Sequence, residues 1–344
     1  MRITKIAAVL ATAVTASGLV GCAIDHNRTD AAKQTIRIAY QTLLSGDLIV
    51  KNSKWLEQAL PDYNIKWTKF DSGADVNTAF IAKQVDFGTL GSSPLARGLS
   101  APLDIPYRVA FVLAVAGDNE ALVARDGSGI TAITDLKGKR VATPFASTAH
   151  YSLLAALADN GLSPSDVQLI DLQPQAILAA WERGDIAAAY TWLPTLGQLE
   201  QSGRVLITSR ELAAKGKPTA DLAAVSNSFA EGNPKVVDVW RQQQARALTA
   251  IKNDPELAAK AISAEVALSP ADVEAQLTKA VFLTPEEIAS PDWLGSEGAP
   301  GNLAVNLQSA SQFLADQKQI PAAAPLSTFQ NALYTTGLPN VITR

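Results

Sequence analysis

The residues that invite chemistry in this chain are hydroxylic and acidic rather than basic. The stretch Asp86-Phe-Gly-Thr-Leu-Gly-Ser-Ser-Pro94 reads as a strand that ends in a tight turn at a helix start. Residues 87–90 predict the strand and Gly91 the turn. Ser92 or Ser93 would be the N-cap and Pro94 the first helical residue, with the helix running through Leu95, Ala96 and Leu99 toward Pro102. Unbonded N–H groups and the partial positive charge of such a helix end favour a carboxylate, phosphate or sulfonate, although a merely well-capped helix carries the same signature. A second small-polar loop, Pro144-Phe-Ala-Ser-Thr-Ala-His150, precedes an apolar helix over 151–159 that Ser147 or Thr148 would cap, so two helix starts could face one anion. Glu120 opens the apolar run 120–124, where a carboxylate needs a reason; solvation at a strand end is one. Asp221 opens a strand over 222–225 in the same way.

Catalysis finds little footing. There is no zinc-protease helix, no Walker-type phosphate loop, no nucleophile elbow and no metal-ligand cluster in the sequence, so neither metal nor cofactor is expected. Of the two histidines, His26 falls in a polar tether and His150 at a helix start, where capping or hydrogen bonding competes with a general-base role. Most of the tryptophans fit core positions, but Trp192 precedes Pro194 at the carboxyl end of a predicted strand and could face a cleft. The net charge of -4 and the lack of interleaved basic and aromatic residues argue against nucleic acid.

Positioning these residues takes more than one core, because 344 residues exceed the size at which a single core usually stops growing. Residues 1–21 stand outside the fold: Arg2 and Lys5 precede an apolar run over 6–20, the layout of a secretory signal and too short for a membrane span. The run ends in Leu19-Val20-Gly21-Cys22, which resembles a bacterial lipobox and marks Cys22 for lipidation. Cys22 is the single cysteine, so no disulfide can form within the chain and a catalytic thiol is disfavoured. The two chains of a diacylglyceryl anchor suffice for lasting membrane attachment. Residues 22–34 read as a polar tether.

Strands are expected at 35–40, 65–70 and 87–90, with helices at 47–60 and, capped by Asp75, through Ala82. This alternation predicts a mainly parallel sheet with ligands beyond its carboxyl ends, where Gln41 and Ser92 would lie. Further strands are expected at 109–115, 120–124, 141–142, 167–172, 186–192 and 205–208, with helices at 174–183 and from Pro194. After the strand over 222–225, helices at 234–252, 255–264, 270–280 and 301–317 would pack on the first lobe, with 282–301 as a loop.

Several motifs then join into a pattern. Asp135-Leu-Lys-Gly-Lys-Arg-Val-Ala142 and Gly161-Leu-Ser-Pro-Ser-Asp-Val167 are of modest specificity. Ala39-Tyr-Gln-Thr42, Leu90-Gly-Ser-Ser-Pro-Leu95, Asn119-Glu-Ala-Leu122, Ser147-Thr-Ala-His-Tyr-Ser-Leu-Leu-Ala-Ala156 and Pro218-Thr-Ala-Asp221 are sharper. Through them nearly all of the mature chain resembles the solute-binding proteins of ABC importers of the nitrate, sulfonate and taurine group, most closely the taurine-binding members. The resemblance implies an α/β, type II periplasmic-binding-protein fold of two lobes with mainly parallel sheets joined by two crossover hinges, near Glu120 and Asp221. Lobe 1 would comprise 35–119 plus 222–344, and lobe 2 would be 120–221.

It further implies an extracytoplasmic, lipid-anchored, monomeric protein without enzymatic activity that delivers taurine to a permease and an ATPase. Ser92, Ser93, Ser147 and Thr148, with backbone N–H groups, would hold the sulfonate; Glu120 and Asp221 would hold the ammonium by charge-assisted hydrogen bonds. Gln41, Tyr151 and Trp192 would supply polar and wall contacts. Taurine-binding relatives carry Trp, Thr and Asp where this chain has Ala223, Ala149 and Ala188, and the first change would admit a longer aminosulfonate. The rivals are another small sulfonate or zwitterionic amino acid as ligand, a pyrimidine-forming enzyme of thiamine synthesis, whose cysteine-rich motif is missing here, and a sensory receptor domain.

Overall fold

A computed structural model describes residues 33–338; the expected leader over 1–21, Cys22 and all but the end of the tether lie outside the described residues. From the amino end run β1 (Gln34–Tyr40), α1 (Gly46–Asn52), α2 (Trp55–Ala59), β2 (Tyr63–Lys69), α3 (Gly73–Ile81), β3 (Phe87–Gly91), α4 (Ser92–Gly98) and β4 (Tyr107–Val115). Next come β5 (Glu120–Arg125), β6 (Arg140–Thr143), α5 (Thr148–Asp159), β7 (Gln168–Asp171), α6 (Pro174–Glu182), β8 (Ala188–Trp192), α7 (Thr195–Leu199), β9 (Gly203–Thr208) and α8 (Ser209–Ala214). After β10 (Ala220–Ser226) the chain is mainly helical: α9 (Asn227–Gly232), α10 (Pro234–Asn253), α11 (Pro255–Ser263), α12 (Pro270–Leu277) and α13 (Pro285–Ile288), then the hairpin β11 (Gly295–Ser296) and β12 (Ala299–Pro300), then α14 (Leu303–Asp316) and α15 (Leu326–Ala332).

The strands form two five-stranded mixed sheets, one per lobe, ordered β2-β1-β3-β10-β4 and β7-β6-β8-β5-β9. In each sheet four strands run one way and a single strand runs against them. β10 is antiparallel to β3 and β4, and β5 is antiparallel to β8 and β9. Both reversed strands are the ones the chain enters directly from the other lobe, so each starts at the cleft and runs away from it. Their first residues therefore lie beside the carboxyl ends of their neighbours, the edge where α/β sheets hold ligands. Asp221 is paired opposite Gly91 at the end of β3, and Glu120 opposite Trp192 at the end of β8.

Apolar strands and the inward faces of α1, α4, α10 and α14 bury the first-lobe core. Trp240 stacks on Phe87 at 5.0 Å, and Phe111 and Phe229 pack edge-on to this pair. Arg241, on the next residue of α10, is fully buried; its guanidinium donates to the carbonyls of Ala110 at 2.8 Å, Thr336 at 2.7 Å and Tyr334. Those bonds, with the Asp238 carboxylate 3.9 Å away, satisfy the buried cation and pin the C-terminal segment to β4.

Several local expectations are corrected. The helix expected over 47–60 breaks in two at Lys54, whose φ of 53° is left-handed. Ser72 rather than Asp75 stands at the start of α3, and its hydroxyl donates to the Asp75 carboxylate. α4 begins one residue early. Gly91, still extended and paired in the sheet, is its N-cap, which makes Ser92 and Ser93 the first two helical residues and Pro94 the third. The loop over 282–301 contains α13 and the β11–β12 hairpin.

Candidate functional site

A small cavity lies where the two reversed strands begin. Of the nine residues singled out from the sequence, Gln41, Glu120, Ser147, Thr148, Trp192 and Asp221 line it, and Ser92, Ser93 and Tyr151 do not. Gln41 follows β1, Trp192 closes β8, and Ser147 and Thr148 open α5, so the lining comes from both lobes.

Glu120 is buried, with three hydroxyls on its carboxylate and acceptor capacity left on Oε2. Its carboxylate accepts from the hydroxyls of Thr148 at 2.5 Å, Ser209 at 2.7 Å and Ser152 at 3.3 Å. Burial pushes its pKa up, and the three hydroxyls pull against that shift. Asp221 is pushed up to about 7, first by burial and then by the negative charges of Glu120 and Asp47. Asp47, in the first turn of α1, accepts from the Thr89 hydroxyl and from Gln244 Nε2 at 2.6 Å, and burial raises it to about 6. Among the described residues lining the cavity there is no Lys, Arg or His. Two carboxylates thus face one cavity with no basic side chain in its described lining to offset them, an arrangement that is costly unless a cation arrives from outside.

The opposite polarity comes from α5. Ser147 caps it, accepting the His150 N–H at 3.1 Å while donating to the Pro144 carbonyl at 2.5 Å. With the Thr148 hydroxyl spent on Glu120, neither hydroxyl proton is free for an anion. The N–H groups of Thr148 and Ala149, in the first turn, have no carbonyl of their own helix to reach. The loop before α5 is held by His150, whose ring stacks on Phe145 at 4.6 Å and whose Nδ1 accepts the Ala146 N–H at 3.2 Å. Ala146 has a left-handed φ of 56°, a conformation that needs such support. Burial lowers the His150 pKa to about 4, which keeps Nδ1 unprotonated and able to accept. His150 does not line the cavity, and its role is to hold the loop rather than to act as a base.

Ser92 accepts the Ala220 N–H at 3.2 Å and so ties β10 to the start of α4; Ser93 is buried beside it. Tyr151 packs edge-on against Phe313 of α14 at 4.9 Å, and burial raises its pKa to about 12. Gln41 Nε2 donates to the Thr89 carbonyl at 2.8 Å. Sequence reasoning missed Asp47 and Asn119. Asn119 lines the cavity and accepts the Gly117 N–H at 2.7 Å, shaping the turn that delivers Glu120; in the sequence it stands only at the head of the Asn119-Glu-Ala-Leu122 motif, with no role of its own. Among the described residues no cluster of His, Cys, Asp and Glu is suited to a metal ion.

A family model described as NMT1/THI5 like matches residues 65–258. The taurine-binding periplasmic protein of Escherichia coli (strain K12) is 39% identical over 266 residues, covering 76% of this chain and 80% of its own. The alkanesulfonate-binding protein SsuA of Xanthomonas axonopodis pv. citri, solved with MOPS bound, superposes with a TM-score of 0.72 at 23% identity, covering 88% of this chain and 98% of that one. The desulfurization enzyme DSZB superposes with a TM-score of 0.64 at 15% identity, covering 90% of this chain and 99% of its own. At such identities the two structures bear on the fold, which is that of periplasmic binding proteins.

Proposed function

This chain belongs to the NMT1/THI5-like family, and from that premise we propose that it is an extracytoplasmic binding protein that captures taurine and delivers it to an ABC importer. The observation that carries the choice of ligand is the pair Glu120 and Asp221 on a cavity whose described lining has no basic side chain. A solute with an ammonium group supplies the missing charge. The first-turn N–H groups of Thr148 and Ala149 then take the anionic end, a role that falls to the backbone because the Ser147 and Thr148 hydroxyls are already bonded. Trp192 and Gln41 line the wall. A plain alkanesulfonate would leave both acids unpaired next to an anion and be rejected on that ground.

Taurine has roughly seven heavy atoms, so at about 1.5 kcal/mol per atom its binding is bounded near 10 kcal/mol. Within that bound each polar atom must be met. In this reading the protein performs no chemistry on its ligand; the residues around the cavity bind charge, and His150, which does not line it, is occupied with its loop. The lobes divide as 35–119 plus 222–344 and 120–221, Cys22 carries the lipid anchor, and the monomer works with a permease and an ATPase. Calorimetry with taurine, ethanesulfonate and β-alanine tests the assignment. Taurine is expected to bind tightest, and ethanesulfonate binding as tightly as taurine would sink it.

A further inference from the structure

We infer that Gly91 is the residue that permits the two lobes to close, by leaving room for the methyl group of Thr148. Gly91 ends β3 in the first lobe and Thr148 begins α5 in the second. A Cβ built on Gly91 would lie 3.5 Å from Thr148 Cβ and far inside the van der Waals distance of Thr148 Cγ2. Gly91 has a φ of -70°, ordinary for any residue, so its backbone gives no reason for glycine. The reason is space, and the space belongs to the other lobe.

Thr148 has little freedom to yield. Its side chain is β-branched and stiff at χ1, and its hydroxyl donates to Glu120 at 2.5 Å, which fixes the methyl toward Gly91. Turning the methyl aside would break that bond and leave a buried carboxylate with one donor fewer. Gly91 also sits opposite Asp221 in the sheet. One short chain of contacts, Asp221 beside Gly91 against Thr148 bonded to Glu120, therefore couples the acids to the surface on which the lobes meet. An added methyl at position 91 holds the lobes apart while leaving each lobe's own packing intact.

This inference rests on the ligand-capture reading, and its test separates the two. Taurine affinity and the small-angle scattering radius with and without taurine are measured for the unmodified protein, Gly91→Ala, Thr148→Ser and the double variant. Gly91→Ala is expected to melt normally, to lose about tenfold or more in affinity and to fail to contract with taurine. Thr148→Ser keeps the hydroxyl and removes the methyl, so in that background Gly91→Ala is expected to cost less than about threefold and to contract again. Equal affinities of the unmodified protein and Gly91→Ala, or an equal loss in both backgrounds, would overturn the role of Gly91. If the unmodified protein binds none of taurine, ethanesulfonate and β-alanine, the taurine reading fails instead. The ligand-free radii then decide: Gly91→Ala more expanded than both the unmodified protein and the double variant supports the inference, and equal radii overturn it.

Discussion

Glu120 and Asp221 occupy matching places in the two lobes: each stands at the start of the one strand that runs against its sheet. The topology thus brings an acid from each lobe to the same cavity, and each carries its charge toward the other. Asp221 responds with a pKa pushed up to about 7 by burial, by Glu120 and by Asp47. In the proposed reading, an ammonium group placed between the two acids relieves that repulsion.

Replacing either acid by its amide, Glu120→Gln or Asp221→Asn, is expected to lower taurine affinity about tenfold or more, since a hydrogen bond to a charged group contributes about 1.5 to 3 kcal/mol. Titration calorimetry reads the loss directly. The ratio of taurine to ethanesulfonate affinity is expected to narrow in the same variants. Unchanged binding in both would remove the two acids from the site.

Taurine affinity is expected to fall as pH falls. Asp221 is pushed up to about 7 by burial and by Glu120 and Asp47, and an ammonium partner favours its carboxylate, so binding below about pH 7 must displace a proton. Affinity is therefore full above about pH 8 and declines through pH 7 toward 5. Calorimetry near pH 6.5 in two buffers of different ionisation enthalpy counts the released proton, and identical apparent enthalpies would refute the linkage.

His150 is expected to make stability pH-dependent in the acid range. Its folded pKa, lowered to about 4 by burial, lies below the ordinary value of roughly 6.5. The stability it lends is fully present above pH 6.5 and is lost as pH falls toward 4, by up to about 3 kcal/mol. His150→Gln leaves an acceptor for the Ala146 N–H but no titrating ring, so its unfolding midpoint is expected to change less between pH 6.5 and 4. Parallel curves for the two proteins would contradict this.

Arg241→Met is expected to destabilise the fold by about 2 kcal/mol or more, because it orphans the carbonyls of Ala110, Tyr334 and Thr336. Denaturant unfolding measures the loss. Arg241 does not line the cavity, so the folded variant is expected to bind taurine within about twofold of the unmodified protein.

What could be read from the sequence was what local chemistry decides. A carboxylate at the head of an apolar run exposed Glu120 and Asp221, and a small-polar loop before a helix exposed the Ser147 cap. What depends on distant partners was hidden. Asp47 looks like an ordinary first-turn acid until α10 brings Gln244 over it. Ser92 looks like an N-cap, yet its hydroxyl is taken by the N–H of Ala220, 128 residues away. The break between α1 and α2 falls at Lys54, with neither Gly nor Pro to announce it.

β10 lies in the interior of the first sheet, between β3 and β4, although it is synthesised only after every strand of the second. Until it emerges, a growing chain has two raw edges where that strand belongs, each a template for mispairing. The inserted second sheet, whose strands all lie within 120–208, is by contrast complete as soon as it is made. Assembly therefore runs out of step with synthesis: the portion translated first is sealed last, and the wait is set by the length of the insert.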